Sequence, residues 1–365
     1  MKKTVLALAA IAASSAAFAQ SSVTLYGVVD ASVESLKGSD ATTKKSTTFN
    51  RVSSDNLATS RIGFKGVEDL GGGLKAKFQL EASLKSDTGA SATGRFFDRA
   101  AWVGVASAEA GELRIGRQDS LIGAQIAETI GAQAYDASVI AGTLGGNSTN
   151  FRRIDNALTY IAPTFVPGLT LSAQYSTAVD STVAGNAETT NGSGTGRGYG
   201  FAANFVQGPV AAGVSYIQIN TIANGNNENV GLYLYGAYDL GVAKLTAFYN
   251  DDTQDGNKTV AGRRLYGVQA AVPVTSGLTV SGGYAYARNV TALNAFETKA
   301  AAKLHGDNAG IITLKAQYDL SKRTAVYALF TEVQNGDKAN LGLSSVTTNN
   351  DKSARGLAVG VRHAF

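Results

Sequence analysis

Gly356-Leu357-Ala358-Val359-Gly360-Val361-Arg362-His363-Ala364-Phe365 is the last stretch of the chain, and its alternation decides the fold. Leu357, Val359, Val361 and Phe365 fall on one side of an extended strand; small residues and Arg362 fall on the other. A period of two with one apolar face marks a half-buried strand. An aromatic residue placed last on such a strand reads as part of a sheet, not as a loose tail. The other end carries the same pattern. Val23, Leu25, Val29, Ala31 and Val33 alternate with a set that includes Thr24, Tyr26, Asp30 and Ser32.

The alternation recurs inward from both ends. Leu74, Ala76, Phe78 and Leu80 alternate with Lys75, Lys77, Gln79 and Glu81, and Leu169, Leu171, Ala173 and Tyr175 with Thr170, Ser172 and Gln174. Four consecutive charged or amide side chains on one face are costly inside a packed core. They cost little if that face lines water, which places lipid on the apolar side and a pore on the polar one.

Short turns separate some strands: 68–73, 207–209, 239–241, 275–277 and 321–324. Longer stretches rich in Asn, Thr, Ser, Asp and Gly separate the others: about 34–59, 84–96, 177–197, 250–263, 287–307 and 334–354. Such alternation predicts an antiparallel up-and-down meander with one tight rim and one loop-bearing rim. The strand-like segments centre near residues 28, 64, 78, 102, 114, 159, 173, 202, 214, 234, 246, 268, 281, 314, 328 and 360. The fold expected is all-β, a transmembrane barrel of sixteen strands, wide enough for an aqueous channel. The connection from Gln118 to Asn150 stands apart. Ser120–Ile130 is moderately apolar with some helical spacing, and its natural place is inside the barrel.

Met1-Lys2-Lys3, a short apolar run from Thr4 to Ala13 and Ala17-Phe18-Ala19 have the form of a secretory signal. Residues 1–19 are therefore expected to be cleaved, leaving residues 20–365 as one barrel domain. No other segment is apolar over the ~18 residues that a spanning helix needs. At 44% hydrophobic and 16% charged, the chain carries less charge than the roughly 25% of soluble domains. Charge is nearly balanced, 32 basic against 28 acidic residues, which argues against nucleic acid as a partner. Cys is absent, and the only two histidines, His305 and His363, lie far apart. No metal site, cofactor or thiol chemistry is expected. Neither His lies in a nucleophile motif of the G-x-S-x-G type, so an enzyme is not expected.

Several segments together resemble one known family. They are Ser22–Gly27, Ser60–Ala76 (with Arg61-Ile62-Gly63-Phe64-Lys65-Gly66-Val67-Glu68-Asp69-Leu70), Leu113–Gln118, Tyr318–Thr324 and the terminal Val361–Phe365. Spread in order over the chain, they are similar to the general-diffusion porins of Gram-negative bacteria, of the β-proteobacterial and neisserial type. The resemblance implies a sixteen-stranded outer-membrane barrel in contact with outer-membrane lipid. It also implies a homotrimer, a terminal Phe that serves assembly, and a third long loop folded into the lumen. Family members build a constriction from basic wall residues facing carboxylates on that loop, and the matching positions are Arg61, Arg99 and Arg153. Parity agrees for Arg61, opposite Ile62 and Phe64, and for Arg153, on the face of Asp155 and Thr159. It also places Arg99 opposite a lipid-facing Trp102 and adds Arg114, opposite Leu113 and Ile115. Glu128 and Asp136 are the candidate loop acids; the loop lacks a Pro-Glu-Phe-Gly-like tip. The function expected is passive diffusion of small hydrophilic solutes and ions, mildly favouring anions because the basic set outnumbers the two acids. The alternative is a substrate-specific channel with a saturable site.

Overall fold

The computed structural model describes residues 22–39, 45–91, 94–131, 152–179, 196–220, 228–255, 263–288, 308–337, 339, 341–343 and 353–365. The expected signal segment and Asp136 lie outside these residues. Among them are seventeen strands: β1 (Ser22–Ser39), β2 (Ser46–Ser54), β3 (Arg61–Gly71), β4 (Leu74–Ser83), β5 (Ala100–Ser107), β6 (Gly111–Asp119), β7 (Arg153–Ile161), β8 (Leu169–Ser176), β9 (Gly198–Gln207), β10 (Val210–Asn220), β11 (Glu228–Asp239), β12 (Lys244–Asp255), β13 (Arg263–Pro273), β14 (Leu278–Arg288), β15 (Asn308–Asp319), β16 (Thr324–Asn335) and β17 (Ser353–Ala364). Between β6 and β7 lie a short helix, α1 (Leu121–Ile126), and a π-helical turn, Ala127–Gly131.

Seventeen strands make sixteen staves. β2 pairs with residues 31–39 of β1, and β3 pairs with residues 22–28 along the same edge. They are one stave interrupted at residues 55–60, where Asp55 has a φ of 74°. The stretch 34–59, expected to be a loop, is therefore largely strand. Its Ser, Thr and Asn side chains concealed a hairpin that extends one part of the wall. Every other neighbour pairing is antiparallel, and β17 closes on β1 from Val28↔Ala364 to Lys37↔Arg355. Phe365 completes the seam: its N–H donates to Gly27 O at 3.1 Å, and Gly27 N–H donates back at 3.0 Å.

The burial pattern is inside-out relative to a soluble protein. On β1, Val33 is 65% exposed while Asp30 and Glu34 are 0% and 2% exposed. Large apolar side chains line the outside of nearly every stave, among them Val103, Ile115, Phe201, Val268, Leu314 and Val359. Covering each Val, Leu or Phe is worth roughly 1.5–3 kcal/mol, so this surface is at equilibrium in lipid. Tyr160, Tyr175, Tyr199 and Tyr318 point outward, as interfacial aromatics do.

The wall is uneven in height. β5 to β8 have eight or nine residues, whereas β10 to β17 have eleven or twelve. Inside the tall sector the lining is apolar toward the loop rim, with Leu36, Leu265, Ile311, Leu329 and Val333 buried. Ala339, Leu341 and Leu343 cover it. The Asn335 side chain clamps that segment, accepting from Leu341 N at 2.9 Å and donating to Leu341 O at 3.0 Å. The stretch 334–354, expected to be a polar loop, thus begins as an inward-packed segment.

Candidate functional site

Polar side chains concentrate on the inner wall of β3 to β7. Arg61 opens β3 directly after the stave break and donates from Nη1 to Thr59 O at 2.9 Å. Its neighbour across the strands is Glu81 on β4, at 3.6 Å from Arg61 Nε. Arg99 lies one residue before β5. Its N–H donates to Glu81 O at 3.1 Å and its Nε to Glu81 Oε1 at 2.5 Å. Tyr26 O–H donates to Glu81 Oε2 at 2.8 Å, and Gln79 donates to Tyr26 OH at 2.6 Å. One carboxylate thus holds two guanidiniums and a phenol in a fixed array. Charge-assisted bonds of this kind are short and directional.

Nearer the short-turn rim, Glu112 receives Lys77 Nζ at 2.6 Å and Arg114 Nε at 2.5 Å. The Arg114 guanidinium lies over the Trp102 ring, 4.6 Å from its centroid. Trp102 therefore faces inward and is 9% exposed, while Val103 and Val105 face lipid. This corrects the expected lipid-side Trp102. Arg99 reaches the lumen because it precedes the strand, not by strand parity. Lys77 and Glu81 are both paired.

Nearer the loop rim, Arg117 and Arg95 both bind Asp155, the latter at 2.6 Å. Arg117 Nε also donates to Asp98 O at 2.7 Å. Arg153 Nε sits 3.1 Å from Asp119 Oδ1, an ion pair without hydrogen-bond alignment. The direction of Arg117 could not follow from alternation. A bulge between Gly116 and Gln118 resets the register, and Gly116 has a φ of 128° with Ala101 O where a Cβ would sit.

The insert after β6 rests on the inward faces of β8 to β11. Ser120 Oγ caps α1 by accepting from Gly123 N at 2.9 Å. Ile122 and Ile126 join a buried cluster that includes Ile154, Ile217 and Ile219. Gln125 donates to Ala203 O at 3.1 Å, and Leu121 N donates to Gln174 Oε1 at 3.2 Å. In the π-turn, Thr129 Oγ1 meets Tyr233 OH at 2.5 Å, and Gln269 donates to Thr129 O at 2.6 Å. Arg152 Nη1 ties the far end by donating to Gly123 O at 2.5 Å.

Arg61, Arg99, Arg114 and Arg153 are thus brought onto one wall. Glu128 sits in the π-turn and forms no ion pair among the described residues. Burial by the surrounding wall pushes its carboxyl above the usual range, and the Asp119 charge adds to that. The carboxylates that hold the wall arginines are wall residues, Glu81, Glu112, Asp119 and Asp155. The first lay in the sequence pattern Lys75-x-Lys77-x-Gln79-x-Glu81. Glu112 and Asp119 offered no signal of their own. Lys65, Lys77, Arg61, Arg95, Arg99, Arg114, Arg117 and Arg153 outnumber Glu81, Asp98, Glu112, Asp119 and Asp155 in this sector. No cluster of three His, Asp, Glu or Cys able to hold a metal occurs among the described residues.

Comparison with known proteins returns a consistent set. The family profile described as "Gram-negative porin" matches residues 5–338. The chain is 32% identical over 385 aligned positions to "Outer membrane porin protein 32" of Delftia acidovorans, covering 100% of both chains. It is 27% identical to "Major outer membrane protein P.IB" of Neisseria lactamica, again over 100% of both. Among solved structures, the "Anion-selective porin from Comamonas acidovorans" superposes with a TM-score of 0.78 at 28% identity, over 95% of this chain and 100% of that one.

Proposed function

The chain belongs to the Gram-negative porin family, and on that premise we propose that its channel is mildly anion-selective and that the arginine wall of β3 to β7 sets the selectivity. The protein is a sixteen-staved outer-membrane barrel that forms a general-diffusion channel, and no covalent step is part of that function. The observation that carries the selectivity reading is the excess of guanidinium and ammonium groups over carboxylates on one inner wall. A solved relative at 28% identity is itself described as anion-selective.

Fixed charge acts here without any binding step. A permeating anion meets guanidiniums already oriented by Glu81, Glu112, Asp119 and Asp155, so little reorganisation accompanies its passage. The inserts at β8–β11 and at residues 339 and 341–343 fill other sectors of the interior, which favours an ion path along the arginine wall. Arg61, Arg99, Arg114 and Arg153 line that path, with Glu128, and Asp136 in the same loop, as its acidic counterpart. Residues 1–19 serve as a cleaved export signal. Copies associate as a homotrimer through the low sector, where Val103, Val105, Ile115 and Leu158 are exposed; trimers that survive unheated electrophoresis would support this.

The experiment is a reversal-potential measurement across a planar bilayer in a salt gradient, for the wild type and for Arg61→Gln/Arg99→Gln/Arg153→Gln. The wild type should favour anions and the triple variant should move toward cations. Unchanged selectivity in the variant would assign these arginines to wall architecture alone.

A further inference from the structure

The outer surface of the tall sector carries one arrangement that channel function does not use. Arg264 on β13 and Arg288 on β14 are direct cross-strand partners on the outward face. Both are exposed to the surroundings of the barrel. Arg264 Nε donates to Asp251 Oδ2 at 2.9 Å, and Tyr249 O–H donates to the same carboxylate at 2.7 Å. Arg288 has no ion pair among the described residues. Like charges directly opposite on a sheet are destabilising, so two facing guanidiniums, with one carboxylate flanking Arg264 from β12 on the side away from Arg288, leave a positive charge unanswered.

Their height on the wall says what surrounds them. Two residues down each strand, about 7 Å toward the membrane centre, Tyr249, Tyr266 and Tyr286 form a row. The Tyr266 and Tyr286 rings lie 5.6 Å apart. Below that row the wall turns apolar, with Val268 and Tyr284 exposed. Outward tyrosines sit at the membrane–water interface. The arginine pair therefore stands just above it, at headgroup level and at the loop-bearing rim, which faces outward.

We propose that Arg264 and Arg288 form a docking site for the phosphate of an outer-leaflet phosphoglycolipid, whose sugar rests on the Tyr249–Tyr266–Tyr286 row. The pair presents two planar donor forks, the geometry suited to bidentate contact with a phosphate. Asp251 offsets part of the positive charge and competes with an incoming phosphate for the Arg264 guanidinium. The lipid, not a soluble anion, is the occupant, because the site opens onto the membrane and not into the lumen.

The test is native mass spectrometry of the full-length, detergent-folded protein with diphosphorylated lipid A, with its dephosphorylated form and with inorganic phosphate. The wild type should retain diphosphorylated lipid A over the dephosphorylated form. Arg264→Gln/Arg288→Gln should retain about tenfold less, as expected for loss of charge-assisted bonds, with conductance unchanged. Lys37→Gln/Arg355→Gln is the control. That pair is also cross-strand on the outward face, but no tyrosine lies two residues below either member. An equal loss in the control would mean diffuse charge attraction and overturn the site. So would retention independent of the phosphates, or displacement by millimolar inorganic phosphate. If the double variant fails to fold, Asp251→Asn decides: retention should rise, and unchanged or reduced retention contradicts the proposal.

Discussion

At the carboxylate of Glu81, Arg61, Arg99 and Tyr26 converge, so this one side chain fixes the geometry of that cluster and offsets part of its positive charge. Two unit charges 4 Å apart in water interact by about 1 kcal/mol. Glu81→Gln should therefore raise the anion-to-cation permeability ratio, by roughly fivefold on that estimate; an unchanged reversal potential would place the cluster off the ion path. Glu128 makes a pH prediction. Burial first, then the Asp119 charge, raise its carboxyl above the ordinary range. The folded chain thus holds this proton at a pH where the unfolded chain has lost it, and the neutral form is the one favoured by folding. As pH falls from neutral, the loop loses a negative charge earlier than an ordinary glutamate would. Anion preference should rise in that window, stability should not fall on account of this group, and Glu128→Gln should abolish the step. A titration of reversal potential for both proteins measures it.

The elements divide into walls, which the alternation announced, and inserts, which it did not. All sixteen predicted strand centres fall in strands, because an apolar–polar period of two is imposed by lipid on one side and water on the other. What stayed hidden were departures from that period. β2 was read as loop because its Ser and Thr content looks like one. Trp102 was assigned to lipid because Arg99 was counted as part of β5. The direction of Arg117 depends on the bulge at Gly116, a backbone event with no side-chain signature. The apolar spacing of Ser120–Ile130 marked the insert, but not the hydrogen bonds that seat it. Excising residues 121–131 should raise single-channel conductance, while Tyr233→Phe with Gln269→Leu should leave the mean and increase open-channel noise, since both seat Thr129. Equal conductance after excision would mean the insert does not narrow the path. At the seam, a Cβ on Gly27 would meet the Phe365 ring and Arg61 O. Gly27→Ala should thus weaken closure by about 1–3 kcal/mol, read as a lower temperature for the shift from folded to unfolded electrophoretic mobility.

Over the whole molecule, three arrangements follow from one chain pattern. Lipid meets the apolar outer surface. Apolar inward residues of the tall sector are satisfied by Ile122 and Ile126 and by Ala339, Leu341 and Leu343 of the same chain. Water keeps the sector where charge is dense. In the proposed channel the ion path is off-centre, with ordered cations on one side and packed inserts on the other. A binding-site channel on this frame would saturate with solute, whereas a general-diffusion channel responds to charge and size alone. The proposed function requires an open, anion-preferring path along the arginine wall. The most direct test is single-channel recording of the purified, detergent-folded protein in a planar bilayer under a salt gradient. Ohmic conductance steps and a reversal potential with the sign of anion preference are expected. Insertion without steps, or a potential with the sign of cation preference, would contradict it.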